Sequence, residues 1–160
     1  MRRSVALAAM VLVPFITSAC GSDSSAPEID GSMHATIAGS ADPWDAERSL
    51  TARMLNGNLT IDGIENSSVR IQLKVFDAAV GTFTKEPDAL VPEIEATIGD
   101  DRSFYYSSAP SGGTGTVVIT ELSATRVKGT FQFFAIRVIA EPGDADNYRI
   151  SNGTFDVPIK

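Results

Sequence analysis

The sequence predicts an all-β domain: an antiparallel β-sandwich of about nine strands, with a closed lipocalin-like β-barrel as the alternative. Three observations lead there. Residues 113–140 (GTGTVVITELSATRVKGTFQFFAIRVIA) alternate apolar and polar side chains on either side of a short polar connector, Ser123-Ala124-Thr125. Asn56-Gly57 separates two further alternating runs, and this dipeptide suits a type I′ hairpin because both of its central residues need positive φ. No apolar stripe at helical spacing persists for three turns, while turn residues recur between short runs.

The N-terminus is read separately from the fold. Arg2 and Arg3 precede an apolar run, residues 5–16, of signal-peptide length and too short to span a bilayer, which takes about 20 apolar residues. Thr17-Ser18-Ala19-Cys20 follows, and small residues before a lone cysteine resemble the lipobox of bacterial lipoproteins. That resemblance implies residues 1–19 as a leader, cleavage before Cys20, and diacylglycerol on its thiol. The rival reading is an ordinary secretory peptide cut near Ala19 that leaves a free thiol. The lipobox reading is favoured because a lone thiol in an exported protein has no disulfide partner. Residues 20–31 then form a lipid-anchored tether, and 32–160 a single domain. Removing 19 of the 160 residues leaves 11 basic against 20 acidic side chains, a net −9. Such a domain is a poor partner for nucleic acid or for an anionic lipid surface, so any membrane attachment rests on the anchor.

Along the domain, 32–38 is the first strand, with Met33, Ala35 and Ile37 on its inner face. Residues 39–43 are turn chemistry and lead to Trp44. Residues 49–55 point Leu50, Ala52 and Met54 inward, and 58–63 return with Leu59, Ile61 and Gly63. Residues 69–75 give the cleanest alternation, Val69, Ile71, Leu73 and Val75 against Arg70, Gln72 and Lys74. A short strand at 81–84 precedes a loop with two prolines, and 93–98 and 103–107 read as a pair turning at Gly99-Asp100-Asp101.

The central hairpin places Val117 and Ile119 on one face of its first arm, with Thr116, Val118 and Thr120 opposite. Its second arm sets Val127, Gly129, Phe131, Phe133 and Ala135 inward, against Lys128, Thr130 and Gln132. Residues 148–159 form the last strand, with Phe155, Val157 and Ile159 inward and a bulge expected at Asn152-Gly153. Pro158 cannot donate to a ladder, so this end is expected at a sheet edge.

Laid out in this order, the chain resembles an uncharacterised domain of bacterial envelope lipoproteins, a domain of unknown function. The matching pieces are the lipobox and tether, PWDA with Trp44 and Ala46, the Gly81-Thr82-Phe83 step, GTGTVVITEL, KGTFQF and the closing ISNGTFDV. The resemblance implies an all-β envelope lipoprotein and brings no catalytic residue with it.

Chemistry-bearing residues are sparse. The one histidine, His34, has no GxSxG serine and no second cysteine to work with, so a triad is not expected. One Cys and one His cannot build a zinc site without unusual carboxylates. Asp42, Asp45, Asp100, Asp101, Asp144 and Asp146 lie in turns where calcium could find oxygens, but without EF-hand spacing they read as solvated turn residues. Two convergent carboxylates would make a glycosidase, yet no pair among 20 acidic residues is singled out.

No metal or cofactor is therefore expected, and no catalysis. Trp44 reads as a core plug, with a ligand-stacking platform as the alternative. Adjacent Tyr105 and Tyr106 point to opposite faces, so at least one should be exposed. Phe134 and Ile136 are apolar where the alternation predicts polar side chains, so either a loop covers them or they form a patch for a partner. Trp44, Tyr105, Tyr106, Phe134 and Ile136 are thus the candidate binding surface, and Cys20 the lipid attachment site.

The functional expectation is a non-catalytic binding or structural β-domain, held by lipid at the outer membrane or cell surface and meeting an envelope glycan or protein. A small-molecule carrier and a carboxylate-dependent hydrolase are the alternatives.

Overall fold

Among the described residues antiparallel pairing accounts for every strand ladder, and no helix occurs. The computed structural model describes residues 30–66, 68–100, 104–109, 112–137 and 147–160, with backbone alone at 104–106. The expected leader, the tether up to residue 29, Asp101, Asp144 and Asp146 lie outside the described residues.

The strands are β1 (Ser32–Ile37), β2 (Trp44–Asp45), β3 (Ser49–Leu55), β4 (Asn58–Ile64), β5 (Val69–Val75), β6 (Gly81–Lys85), β7 (Ile94–Asp100), β8 (Phe104–Ser107), β9 (Thr114–Leu122), β10 (Arg126–Arg137) and β11 (Asn147–Pro158). They form two layers. One runs β6-β9-β10-β11-β1-β2, the other β8-β7-β5-β4-β3. The long strand β10 joins them at one corner, where Ile136 and Arg137 pair with Ser107 and Tyr106 of β8. At the opposite corner a single parallel bridge links Ala52 to Ile159.

One bridge does not close a barrel, and the space between the layers is filled. Met33, Trp44, Leu59, Ile61, Ile71, Leu73, Ile94, Ile119 and Ile150 are all sealed from solvent there. The fold is therefore a sandwich, and the hollow-barrel alternative is withdrawn. Its described residues form eleven strands where about nine were expected. Two residues at Trp44 suffice for β2, since they pair with His34 and Ala35.

The expected registers hold through the central strands. Val127, Phe131, Phe133 and Ala135 are buried, while Thr130 and Gln132 face water. Asn56 and Gly57 both have positive φ, 51° and 83°, and close the β3–β4 hairpin. At Asn152-Gly153 the pairing slips by one residue against both β1 and β10, which is the expected bulge, with Asn152 itself at φ 52°. The bulge reverses side-chain parity along β11, so Ile150 is buried upstream of it and Phe155 and Val157 downstream.

Three expectations need correcting. Pro158 does not mark an edge, because β11 lies between β1 and β10. The N–H of Ile159 donates to the Thr125 carbonyl, so the neighbouring Pro158 nitrogen faces the other side. There β1 pairs no farther than Asp156, and no bond is lost. Met54 shares the inner face with Leu50 and Ala52 but lies on β3, the end strand of its layer, and it is exposed while Leu59 opposite it on β4 is sealed. Finally, β7 runs through Gly99 and Asp100 where a turn was expected.

Candidate functional site

The outer faces of the two layers differ in charge. On the β3-β4-β5-β7 layer, the Asp62 carboxylate accepts from the Arg70 guanidinium and from Gln72, and Lys74 pairs with Glu95 at 3.4 Å. That is an ordinary solvated face.

The other layer carries two uncharged rows, polar except for Val118. In one, Thr84 of β6 pairs with Thr116 of β9, and Thr116 with Gln132 of β10. In the next, Thr82, Val118, Thr130 and Thr154 stand opposite one another from β6 to β11. The residues opposing the core in β9 and β10 were legible as such from the alternation. Their alignment with Thr82, Thr84 and Thr154 into continuous rows depends on strand order, which sequence spacing does not carry.

Two shallow depressions lie on this face. One of about 510 Å³ follows Val118, Thr130, Asn152 and Thr154. The other, about 350 Å³, runs past Thr114, Phe134, Arg149 and Ser151 to Lys85 and Glu86. Thr116 and Gln132 line both, so they form one continuous trough. Phe134 is half-buried, and the Arg149 guanidinium carbon stands 6.0 Å from its ring centroid, a cation–π distance. Ile136 is also half-buried, and it packs so close to the Gly112 turn that a Cβ there would come within 2.9 Å of its Cδ1. Phe134 thus belongs to the trough, and Ile136 lies under a loop.

At the end of this face nearest residue 30 the character changes to paired charge. Arg126 bonds Asp156, Lys128 pairs with Glu121 at 3.2 Å, and Asp30 lies 3.9 Å from Arg126. The hydrogen bond from Arg126 holds the Asp156 carboxyl below the usual carboxylate range, with the charges of Arg126 and Lys128 adding to it, and the bond to Asp156 raises Arg126. Gly31 at φ 104° is pressed against β11, where a Cβ would meet the Asp156 carbonyl oxygen at 2.4 Å. Gly31 therefore packs on β11, with Asp30 exposed beside it.

The other sequence-predicted residues fall elsewhere. Trp44 is 1% exposed, lies against Gly63, and donates from Nε1 to the Val69 carbonyl at 3.1 Å. It is a core plug, and this burial removes it from the candidate binding surface. Tyr105 and Tyr106 lie in β8, with their side chains outside the described residues. His34 bonds the Asp45 carboxylate across β1 and β2 on the outer face. Among the described residues no three His, Cys, Asp or Glu side chains gather to hold a metal ion.

One residue at the trough escaped the sequence reading. Lys85 is 2% exposed, and its ammonium donates to the carbonyls of Glu86 at 2.6 Å and of Pro87 and Gly113, each at 3.3 Å. It ties the β6–β7 loop to the turn before β9. Period-2 alternation from Gly81 and Phe83 does put Lys85 on the inner side, but a lysine at a strand end reads as solvated unless the facing carbonyls are known.

A family model described as Domain of unknown function (DUF6252) matches residues 31–158. The chain belongs to this family. The match begins one residue before β1 and ends with the last residue of β11, so the whole sandwich is the DUF6252 domain. No curated protein and no solved structure matches the chain.

Proposed function

We propose that this DUF6252 protein is a lipoprotein of the bacterial cell envelope, anchored through Cys20 at the outer membrane or cell surface, and that its β-domain binds a ligand without catalysis. The anchor reading rests on the leader and on the Ser18-Ala19-Cys20 step. The binding reading rests on one observation, the trough centred on Thr116 and Gln132, uncharged along Val118, Thr130, Asn152 and Thr154 and bordered by Arg149, Lys85 and Glu86 at its other end. Hydroxyl and amide groups in two rows, with a half-buried ring at one end, suit a ligand that is itself uncharged and rich in hydroxyls. An envelope glycan has that chemistry: its hydroxyls exchange hydrogen bonds with Thr and Gln, and a sugar face stacks on Phe134.

Titration of the domain with a panel of neutral oligosaccharides, followed by NMR or calorimetry, tests the binding reading. Phe134→Ala and Gln132→Glu should each weaken the best binder at least tenfold, while Arg70→Gln on the opposite layer leaves it unchanged. Equal binding by all three variants would remove the trough as the site. No binding across the panel would remove the glycan.

A further inference from the structure

Among the described residues four strands end a layer, and each end is closed differently. β8 joins β10 at the corner. β2 is two residues long and offers almost no ladder to extend. β3 is met at Ala52 by residues 159 and 160, through the bridge to Ile159 and the bond from the Lys160 N–H to the Ala52 carbonyl. β6 pairs with β9 on one side, and among the described residues no strand pairs with the other. Its five residues, Gly81–Lys85, are long enough to take a further strand.

What faces outward on β6 follows from its ladder. The Thr84 N–H donates to the Glu93 carboxylate at 2.9 Å and so points away from β9. Bonded positions alternate along an antiparallel pair. The bonds to β9 therefore fall at Gly81, Phe83 and Lys85, opposite Ile119, Val117 and Gly115, and Thr82 points outward with Thr84. The Glu93 side chain is exposed, but its backbone is fixed, because its carbonyl accepts from the Phe76 N–H at 2.9 Å. An anchored stretch of chain thus lays a charged acceptor on the open edge.

We infer that Glu93 is a stopper for this edge, and that the strand it excludes is β6 of a second copy. The edge is self-complementary. With the two Phe83 residues opposite each other, Thr82 of each chain stands opposite Thr84 of the other, and each such pair exchanges two N–H···O bonds. Facing threonines favour this pairing. No charge opposes it, since the Lys85 ammonium is buried against carbonyls of its own chain. The Glu93 carboxylate already holds one of the two outward N–H groups that each copy must offer, so an incoming strand has to displace a charge-assisted bond. Charged side chains on exposed edges prevent sheets from joining in this way. Thr82 and Thr84 also begin the two rows of the trough face, so the stopper makes that face end at β6.

Sedimentation equilibrium of the full-length chain and its variants in density-matched detergent tests this. Glu93→Ala should dimerise at least tenfold more tightly than the parent, whereas Glu93→Gln, which keeps an acceptor for Thr84, should match the parent. Adding Thr82→Pro to Glu93→Ala removes an outward N–H without costing a bond to β9, and should restore the parental behaviour. Amide exchange in the parent gives a reading that needs no variant: Thr84 should be protected and Thr82 should not. A Glu93→Ala chain that associates no more than the parent would overturn the inference. So would association that survives Thr82→Pro, which puts the contact elsewhere, or equal association of Glu93→Gln, which makes charge and not the bond decisive. A Thr84 amide that exchanges as fast as that of Thr82 would overturn it as well.

Discussion

Replacing Lys85 with Met asks whether the buried lysine at the trough is a clamp or is held there for another purpose. The substitution keeps the apolar stem and removes the ammonium, and with it bonds of 2.6, 3.3 and 3.3 Å. Their losses are unequal. The Pro87 carbonyl still accepts from the Gly112 N–H at 3.0 Å, and Glu86 is exposed enough for water to replace the ammonium. Gly113 is buried, and its carbonyl is left without that partner. An orphaned buried acceptor costs about 1–3 kcal/mol, and a net hydrogen bond from a charged donor contributes about 1.5–3 kcal/mol after its desolvation is counted. The Gly113 carbonyl dominates, so Lys85→Met should lose about 2 kcal/mol. In urea that moves the unfolding midpoint down by about 1 M at an m-value near 2 kcal/mol/M. The Gly112 amide should also exchange faster, since the β6–β7 loop loses its tie. A variant as stable as the parent, with Gly112 equally protected, would show that desolvating the ammonium cancels its bonds, and the clamp argument would fail.

Other predictions come from the same packing. Asp156→Asn should be less stable than the parent near pH 6, with the gap closing as pH falls below about 4, where the parent carboxylate also protonates. The sign follows from its depressed folded pKa: the stabilisation is present above the unfolded pKa and lost as pH drops through the folded one, and urea midpoints at several pH values read it. Gly129→Ala should cost about 3 kcal/mol, because its Cβ would come within 2.0 Å of the Val118 carbonyl oxygen, which is backbone and cannot swing aside. A midpoint within error of the parent would mean that the β9–β10 ladder yields there. Thr97 Oγ1 is buried without a hydrogen-bond partner among the described residues, so Thr97→Val should be neutral or stabilising by up to about 1 kcal/mol in thermal unfolding.

What the sequence carried was local. Alternation through Val127–Ala135 and Val69–Val75 named the buried face before any partner strand was known, because a strand with one wet side leaves no other pattern. Asn56-Gly57 and Asn152 announced a turn and a bulge through backbone conformations that few residues adopt. What it did not carry was strand order. Pro158 reads as an edge residue until β1 is seen to end before it. Lys85 reads as solvated until the Gly113 carbonyl is opposite it. The trough requires β6, β9, β10 and β11 to lie side by side, although residues 82 and 154 are far apart along the chain. Trp44 was better read as core than as surface, and the space it occupies was set by Gly63, whose Cβ would stand 2.7 Å from the indole.

The most direct test of the proposed role is the intact mass of the protein recovered from the cells that make it. A chain that starts at Cys20 and carries thioether-linked diacylglycerol is the predicted species. A chain that keeps its first 19 residues, or that begins elsewhere with an unmodified Cys20 thiol, would contradict it.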